Sequence, residues 1–238
     1  MRVTWALVAG AVAIGPLWAC SDRPAEAPPV TTPATRAESA PSPAPPAQPA
    51  PSKPRVVCLG DSLTAGLGLA SDQAYPALLE RRLADAGLDY EVVNAGVSGD
   101  TSAGGLRRLD WSLTGDVKVL VLALGANDGL RGLPPRDLRD NLKRIIETAQ
   151  QRGAKVVLAG MEAPPNFGAP YTREFRAVYE DLARTHPVVY VPFLLEGVAG
   201  VPTLNQADGI HPTAEGQRHI ADLIWKALAP AVGLRASS

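Results

Sequence analysis

Cysteine is nearly absent from this chain of 238 residues, with Cys20 and Cys58 the only two. They permit one disulfide at most, and that bond would join an N-terminal tail to an apolar run that reads as a core strand. Cys58 is therefore expected to be a small buried hydrophobe. Charge of one sign is also lacking: 23 Lys and Arg face 24 Asp and Glu, for a net charge of −1. A nucleic-acid partner, which wants a basic face, is not expected. No cluster of His, Cys and carboxylates stands at metal-ligand spacing, so neither a metal nor another cofactor is expected. The Gly-x-Ser-x-Gly elbow of the α/β-hydrolase fold is missing. Gly66-Leu67-Gly68-Leu69-Ala70-Ser71 lacks the third glycine of a dinucleotide fingerprint. No internal repeat is visible.

A membrane-spanning run is missing too. Trp5 to Ala19 is apolar for about 15 residues, short of the ~20 that a spanning helix needs. With Arg2 ahead of it and small Ala19 at its end, the run implies a signal peptide over residues 1–19. Leu17-Trp18-Ala19-Cys20 resembles a bacterial lipobox, although Trp18 stands where a small or β-branched residue is usual. Three outcomes follow: lipidation at Cys20, which would tie the protein to the cell envelope, plain secretion to the periplasm, or the run retained as an anchor.

What the sequence has in plenty is proline, unevenly spread. Over residues 20–54 the chain is mostly Pro, Ala, Ser and Thr, with about a third proline from Ser21 to Pro54. Such a segment buries too little surface to offset its ordering entropy, and proline biases it to extended PPII. It is expected to be a semi-rigid tether ahead of a single domain over residues 55–235.

From Arg55 onward, short β-rich apolar runs alternate with amphipathic segments. The runs Arg55–Leu59, Tyr90–Asn94, Val117–Leu124, Lys155–Gly160 and Val188–Val191 are too short for helices and read as buried parallel strands. Helices are expected over Ala74–Ala86, Arg136–Arg152, Tyr171–Thr185 and Thr213–Ala229, with Gly153 closing the second. The alternation implies an α/β fold, a parallel sheet with helices on both faces. Ligand chemistry in such sheets gathers beyond the carboxyl ends of the strands.

Gly60-Asp61-Ser62-Leu63 follows the first run. Ser62 there exposes a hydroxyl and aims its N–H at a bound oxygen, or else Ser62 or Asp61 merely caps a helix. Asn94-Ala95-Gly96-Val97-Ser98-Gly99-Asp100 follows the second, where glycine lets a backbone N–H approach a substrate or only makes a turn. Gly125-Ala126-Asn127-Asp128 follows the third; Asn127 either donates to an oxyanion or serves ordinary turn chemistry. Asp208-Gly209-Ile210-His211-Pro212 precedes the last helix. An aspartate three residues before a histidine on one turn can accept from Nδ1–H and leave Nε2 free to take a serine proton. His186 and His219 have no such neighbour and are expected to be filler.

In order and wording these four blocks resemble the GDSL or SGNH hydrolase superfamily. Val97-Ser98-Gly99-Asp100-Thr101-Ser102 and Leu124-Gly125-Ala126-Asn127-Asp128-Gly129-Leu130-Arg131-Gly132 tighten the likeness to the branch of bacterial acyl-CoA thioesterase I, lysophospholipase L1 and arylesterase. Ala126 departs from it, standing where a second glycine is common. The resemblance implies a three-layer α/β/α sandwich around a flavodoxin-like parallel sheet of about five strands. It implies Ser62 as nucleophile with His211 and Asp208 as its partners. An oxyanion hole from the N–H groups of Ser62 and Gly99 and the Asn127 side chain is implied as well, Gly99 being preferred to Gly96. The expected substrate is a small acyl ester, lysophospholipid or acyl thioester, with Leu130, Leu133 and Phe167 against its acyl or aryl group and Met161 to Gly168 as the opposite wall. Two alternatives stand beside it: an esterase for acetylated envelope polysaccharide, and a non-catalytic acyl-binding lipoprotein. A monomer is expected, touching a membrane only through a lipid anchor.

Overall fold

The structure, a computed structural model, describes residues 53–234. The expected signal peptide, nearly all of the tether and Cys20 lie outside the described residues. Among the described residues, no helix is long and apolar enough to cross a membrane.

Five strands form one parallel sheet: β1 (Arg55–Gly60), β2 (Glu91–Gly96), β3 (Val117–Ala123), β4 (Lys155–Ala159) and β5 (Val188–Val191), in the spatial order β2-β1-β3-β4-β5. This is the flavodoxin-like order, whose strand sequence reverses beside β1. In the central strands, valine and leucine are buried on both faces, so Val56, Val57, Leu59, Val119, Leu120, Val121 and Leu122 are inaccessible to solvent. The edges fall short of the uniform burial expected of them: β2 is mostly half-buried, and Val189 in β5 is exposed. Each has a neighbour on one side only, and the helices do not reach over it fully.

Among the described residues, eight α-helices connect and cover the strands: α1 (Ser62–Ala65), α2 (Tyr75–Asp85), α3 (Ser102–Arg107), α4 (Leu109–Ser112), α5 (Ala126–Leu130), α6 (Pro135–Gln151), α7 (Ala169–Thr185) and α8 (Ala214–Ala231). Helix α2 packs beside α8 in one layer; α6 packs beside α3 and α7 in the other. Helix α6 shows why the long helices were legible. Leu138, Leu142, Ile145, Ile146 and Ala149 fall on one face and are all buried, at ~1.5–3 kcal/mol for each large side chain. Its end is a Schellman motif: Gly153 has φ +82°, its N–H meets the Gln150 carbonyl at 2.9 Å, and Ala154 N–H reaches Ala149 at 3.0 Å. The short helices α1, α3, α4 and α5 carry no full period; only the start of α1 was expected, from Asp61-Ser62, and the other three were not. Side-chain caps start two of them, Asp61 on α1 and Thr101 on α3.

Candidate active site

Ser62 opens α1 directly beyond β1. Asp61 caps α1, its Oδ1 accepting from Leu63 N–H at 3.0 Å, while Ser62 lines an apolar cleft. Because α1 is a single turn, its macrodipole is small and the local asset is its free N–H groups. Asp61 is only 1% exposed, and burial pushes its carboxyl up to about 6, against the pull of bonds from Leu63 N–H and Asn127.

His211 Nε2 lies 2.9 Å from Ser62 Oγ, and its Nδ1 lies 2.6 Å from Asp208 Oδ2. The other oxygen, Asp208 Oδ1, accepts from the N–H groups of Ile210 and His211, each at 3.0 Å. These bonds, the ring's first, hold the Asp208 carboxyl well below the usual carboxylate range. An ionised carboxylate only accepts, so Nδ1 carries the ring proton and Nε2 turns a lone pair to the serine hydroxyl.

Two glutamines reach the serine segment, one from this loop and one from α8. Gln206 Nε2 donates to the carbonyls of Leu67 at 2.8 Å and Pro212 at 2.9 Å, and Gln206 N–H reaches the His211 carbonyl at 2.7 Å. From α8, buried Gln217 donates to the Leu63 carbonyl at 2.9 Å and accepts from Tyr75 N–H at 2.8 Å. Neither was singled out in the sequence. Gln217 had a signal, being a polar residue on the buried stripe that continues with Ile220, Ala221 and Ile224.

The two glycines of the second block separate clearly. Gly96 ends β2 with its Cα against the backbone of Thr64 and Ala65, where any Cβ would collide. Gly99 has φ +84° and lines the cleft. Asn127, in the first turn of α5, also lines the cleft; its Nδ2 donates to the Asp100 carbonyl at 3.0 Å and to Asp61 Oδ2 over a longer 3.4 Å. Arg131 donates to the Gly99 carbonyl at 2.9 Å. Arg108 pairs with Asp100 and also reaches the Gly60 carbonyl. Asp128, 2% exposed, accepts from Ser102 N–H at 2.8 Å and Ser102 Oγ at 2.6 Å, tying α5 to the start of α3.

The cleft measures about 420 Å³, within the range of small-molecule sites. Apart from Ser62, Ser98, Asn127, Glu162 and His211 its wall is apolar, with Leu67, Leu130, Met161, Phe193, Leu195 and Ile210 prominent. Leu130 thus stands where expected, and Met161 to Pro164 form part of the wall. Leu133 and Phe167 do not line it. Phe167 packs on the Tyr171 ring with centroids 5.2 Å apart, and the Leu133 carbonyl accepts from the Tyr171 hydroxyl at 2.8 Å. Phe193 and Leu195 were missed, although they directly follow β5, where the strand-end rule points. His186 and His219 lie apart from the cleft, near Glu147 and Glu215. Cys58 is buried in β1, and desolvation pushes its thiol up to about 12. Among the described residues, no group of three or more His, Cys, Asp or Glu could hold a metal ion.

The family described as GDSL-like lipase/acylhydrolase matches residues 58–219. The chain is 48% identical to the esterase TesA of Pseudomonas aeruginosa over 176 residues, covering 74% of this chain and 88% of that protein. It is 39% identical to thioesterase 1/protease 1/lysophospholipase L1 of Escherichia coli over 178 residues, 74% of this chain and 84% of that one. A crystal structure of TesA superposes with a TM-score of 0.71 at 47% identity, covering 75% of this chain and 99% of the other.

Proposed function

The chain belongs to the GDSL-like lipase/acylhydrolase family and is a carboxylic ester hydrolase, and from that premise we propose that it works through an acyl-enzyme on Ser62. Carrying the reading is the line of hydrogen bonds from Asp208 through His211 to the Ser62 hydroxyl, at 2.6 and 2.9 Å, at the mouth of an apolar cleft.

A serine hydroxyl is a weak nucleophile at neutral pH and needs a base in contact. Ser62 Oγ attacks the acyl carbonyl as His211 Nε2 takes its proton. Asp208, kept ionised, stabilises the imidazolium charge. The oxyanion rests on the N–H groups of Ser62 and Gly99 and on Asn127 Nδ2, whose longer bond to Asp61 is the one given up. Collapse returns the proton from His211 to the departing alkoxide or thiolate. Water, deprotonated by the same nitrogen, then attacks the acyl-serine and frees the acid. Each oxyanion donor contributes on the order of 3 kcal/mol to the barrier reduction.

The aliphatic wall suits an acyl chain, so acyl esters, lysophospholipids and acyl thioesters are the substrates proposed. The names of the relatives, an esterase and a thioesterase/lysophospholipase, support that range. Every group the reaction needs comes from one chain, so a monomer suffices. Export, with the enzyme periplasmic or held by lipid on Cys20, is the proposed location; membrane fractionation unchanged by Cys20→Ser would remove the anchor.

Ser62→Ala tests the core of the reading. Hydrolysis of p-nitrophenyl butyrate should fall by about a thousandfold or more with unchanged circular dichroism. A fluorophosphonate should leave a single adduct, on Ser62, in the parent protein. Retained activity in the alanine variant, or an adduct elsewhere, overturns it.

A further inference from the structure

We propose that Arg108 is a positioning residue of the oxyanion hole, its guanidinium acting beside the Val97 N–H bond to the Gly60 carbonyl at 3.1 Å to set the spacing between the Ser62 segment and the Gly99 loop. This rests on the reading of Ser62 as nucleophile. Arg108 sits at the junction of α3 and α4. Its Nη2 donates to the Gly60 carbonyl at 2.8 Å, two residues before Ser62. Its Nε donates to Asp100 Oδ2 at 2.7 Å, one residue after Gly99. The backbone carbonyl of that same Asp100 accepts from Asn127 Nδ2 at 3.0 Å. All three oxyanion donors therefore sit on, or bond to, segments that this side chain ties together.

The surroundings support a dedicated clamp. Arg108 and Asp100 are each only 17% exposed, so solvent and salt screen the pair weakly. Gly104 makes room for the Asp100 carboxylate, since a Cβ there would run into Asp100 Oδ1. Arg108 Nη1 is buried with no hydrogen-bond partner. A buried orphan donor is unfavourable. Lysine cannot copy this arrangement, because an ammonium is a point donor on a flexible stem and not a planar fork.

The consequence is geometric. An oxyanion donor works at about 2.7–3.1 Å from the developing charge, and a misplacement of about 1 Å costs about a hundredfold in rate. Freed from Arg108, the Gly99 loop and the Ser62 segment would keep only the Val97 N–H bond to the Gly60 carbonyl between them, and the Asp100 end of the loop would be free to drift. Binding of the neutral ester, made mostly by the apolar wall, would change little.

The experiment uses the full chain with Arg108→Gln, Arg108→Lys and Arg108→Ala beside Ser62→Ala. It measures kcat and KM on p-nitrophenyl butyrate, and the affinity of butylboronic acid, which adds to a serine hydroxyl as a tetrahedral anion. For Arg108→Gln, kcat should fall roughly thirtyfold to a hundredfold, with KM within about twofold and boronate affinity falling alongside kcat. Arg108→Lys should recover only part of the loss, and added methylguanidinium should partly restore Arg108→Ala. A folded Arg108→Gln with kcat within threefold of the parent overturns the proposal. So does a kcat loss that leaves boronate affinity unmoved. Should the alanine variant fail to fold, the glutamine and lysine variants decide alone. If Ser62→Ala stays active, the nucleophile reading fails and this proposal with it; if Ser62→Ala is dead while Arg108→Gln is unaffected, only this proposal fails.

Discussion

Between Asn205 and Pro212 the chain mostly holds its own shape, whereas between Val97 and Asp100 a single turn bond, Asp100 N–H to the Val97 carbonyl at 3.0 Å, is supplemented by side chains from elsewhere in the chain. The histidine loop is pinned by bonds among near neighbours: Asp208 to the N–H groups of Ile210 and His211 and to the imidazole, Gln206 to His211 and Pro212, and the Asn205–Pro212 bridge. The oxyanion loop has its turn bond and the Val97 N–H bond to the Gly60 carbonyl, and beyond these it relies on Arg108 from the α3–α4 junction, on Asn127 from α5 and on Arg131 at the α5 C-cap. A loop of the first kind keeps its geometry through modest shifts elsewhere. One of the second kind is only as well placed as its remote clamps, so catalysis should be damaged there by residues that touch no substrate.

Asp208→Asn breaks the local side at its strongest point. An asparagine can offer Nδ1 the wrong partner and favour the unproductive tautomer. We expect kcat to fall by about ten thousandfold with the fold intact, measured by ester hydrolysis beside a thermal melt. A loss under tenfold would mean that the local loop positions His211 without this carboxylate. Asn127→Ala probes the dispersed side and should lower kcat by about a hundredfold to a thousandfold with KM little changed. An effect mainly on KM would instead place Asn127 in ground-state binding.

The same contrast explains what could be read from the sequence. Asp208 and His211 were legible because three residues on one turn bring their chemistry together. The sheet was legible because each buried strand is a short β-rich run between amphipathic segments, and all five expected runs became strands. Arg108 was not, because Gly60 and Asp100 lie 48 and 8 residues away and nothing in its neighbourhood marks it apart from a surface arginine. Leu133 and Phe167 were placed by proximity to the third block and to the opposite wall. Which side of a loop faces a cleft has no period to read: the Phe167 ring packs on Tyr171, and Leu133 meets the same tyrosine through its backbone carbonyl.

The two regions also differ in how their aspartates respond to pH, and the smallest predicted effect follows from that. Asp208 is held below the usual range, so its contribution to stability is present above the unfolded value, near 3.8, and is lost only as pH falls further through its folded value. Asp61 is shifted the other way, from 3.8 up to about 6, chiefly by burial. A raised acid favours the folded state fully below pH 3.8 and loses that advantage as pH rises through about 6. The native state then holds a proton that the unfolded chain has released, so this group's share of stability declines between about pH 4 and 6 and is flat above. The shift corresponds to about 2–3 kcal/mol. Urea unfolding of the parent and Asp61→Asn at pH 4.5, 5.5 and 7 reads it directly. Relative to the asparagine variant, the parent should lose stability across that interval, while Asp208→Asn and the parent should run parallel there. Parallel curves for Asp61→Asn and the parent would mean that the carboxylate beside Ser62 is ionised throughout, sustained by Leu63 N–H and Asn127 against its burial.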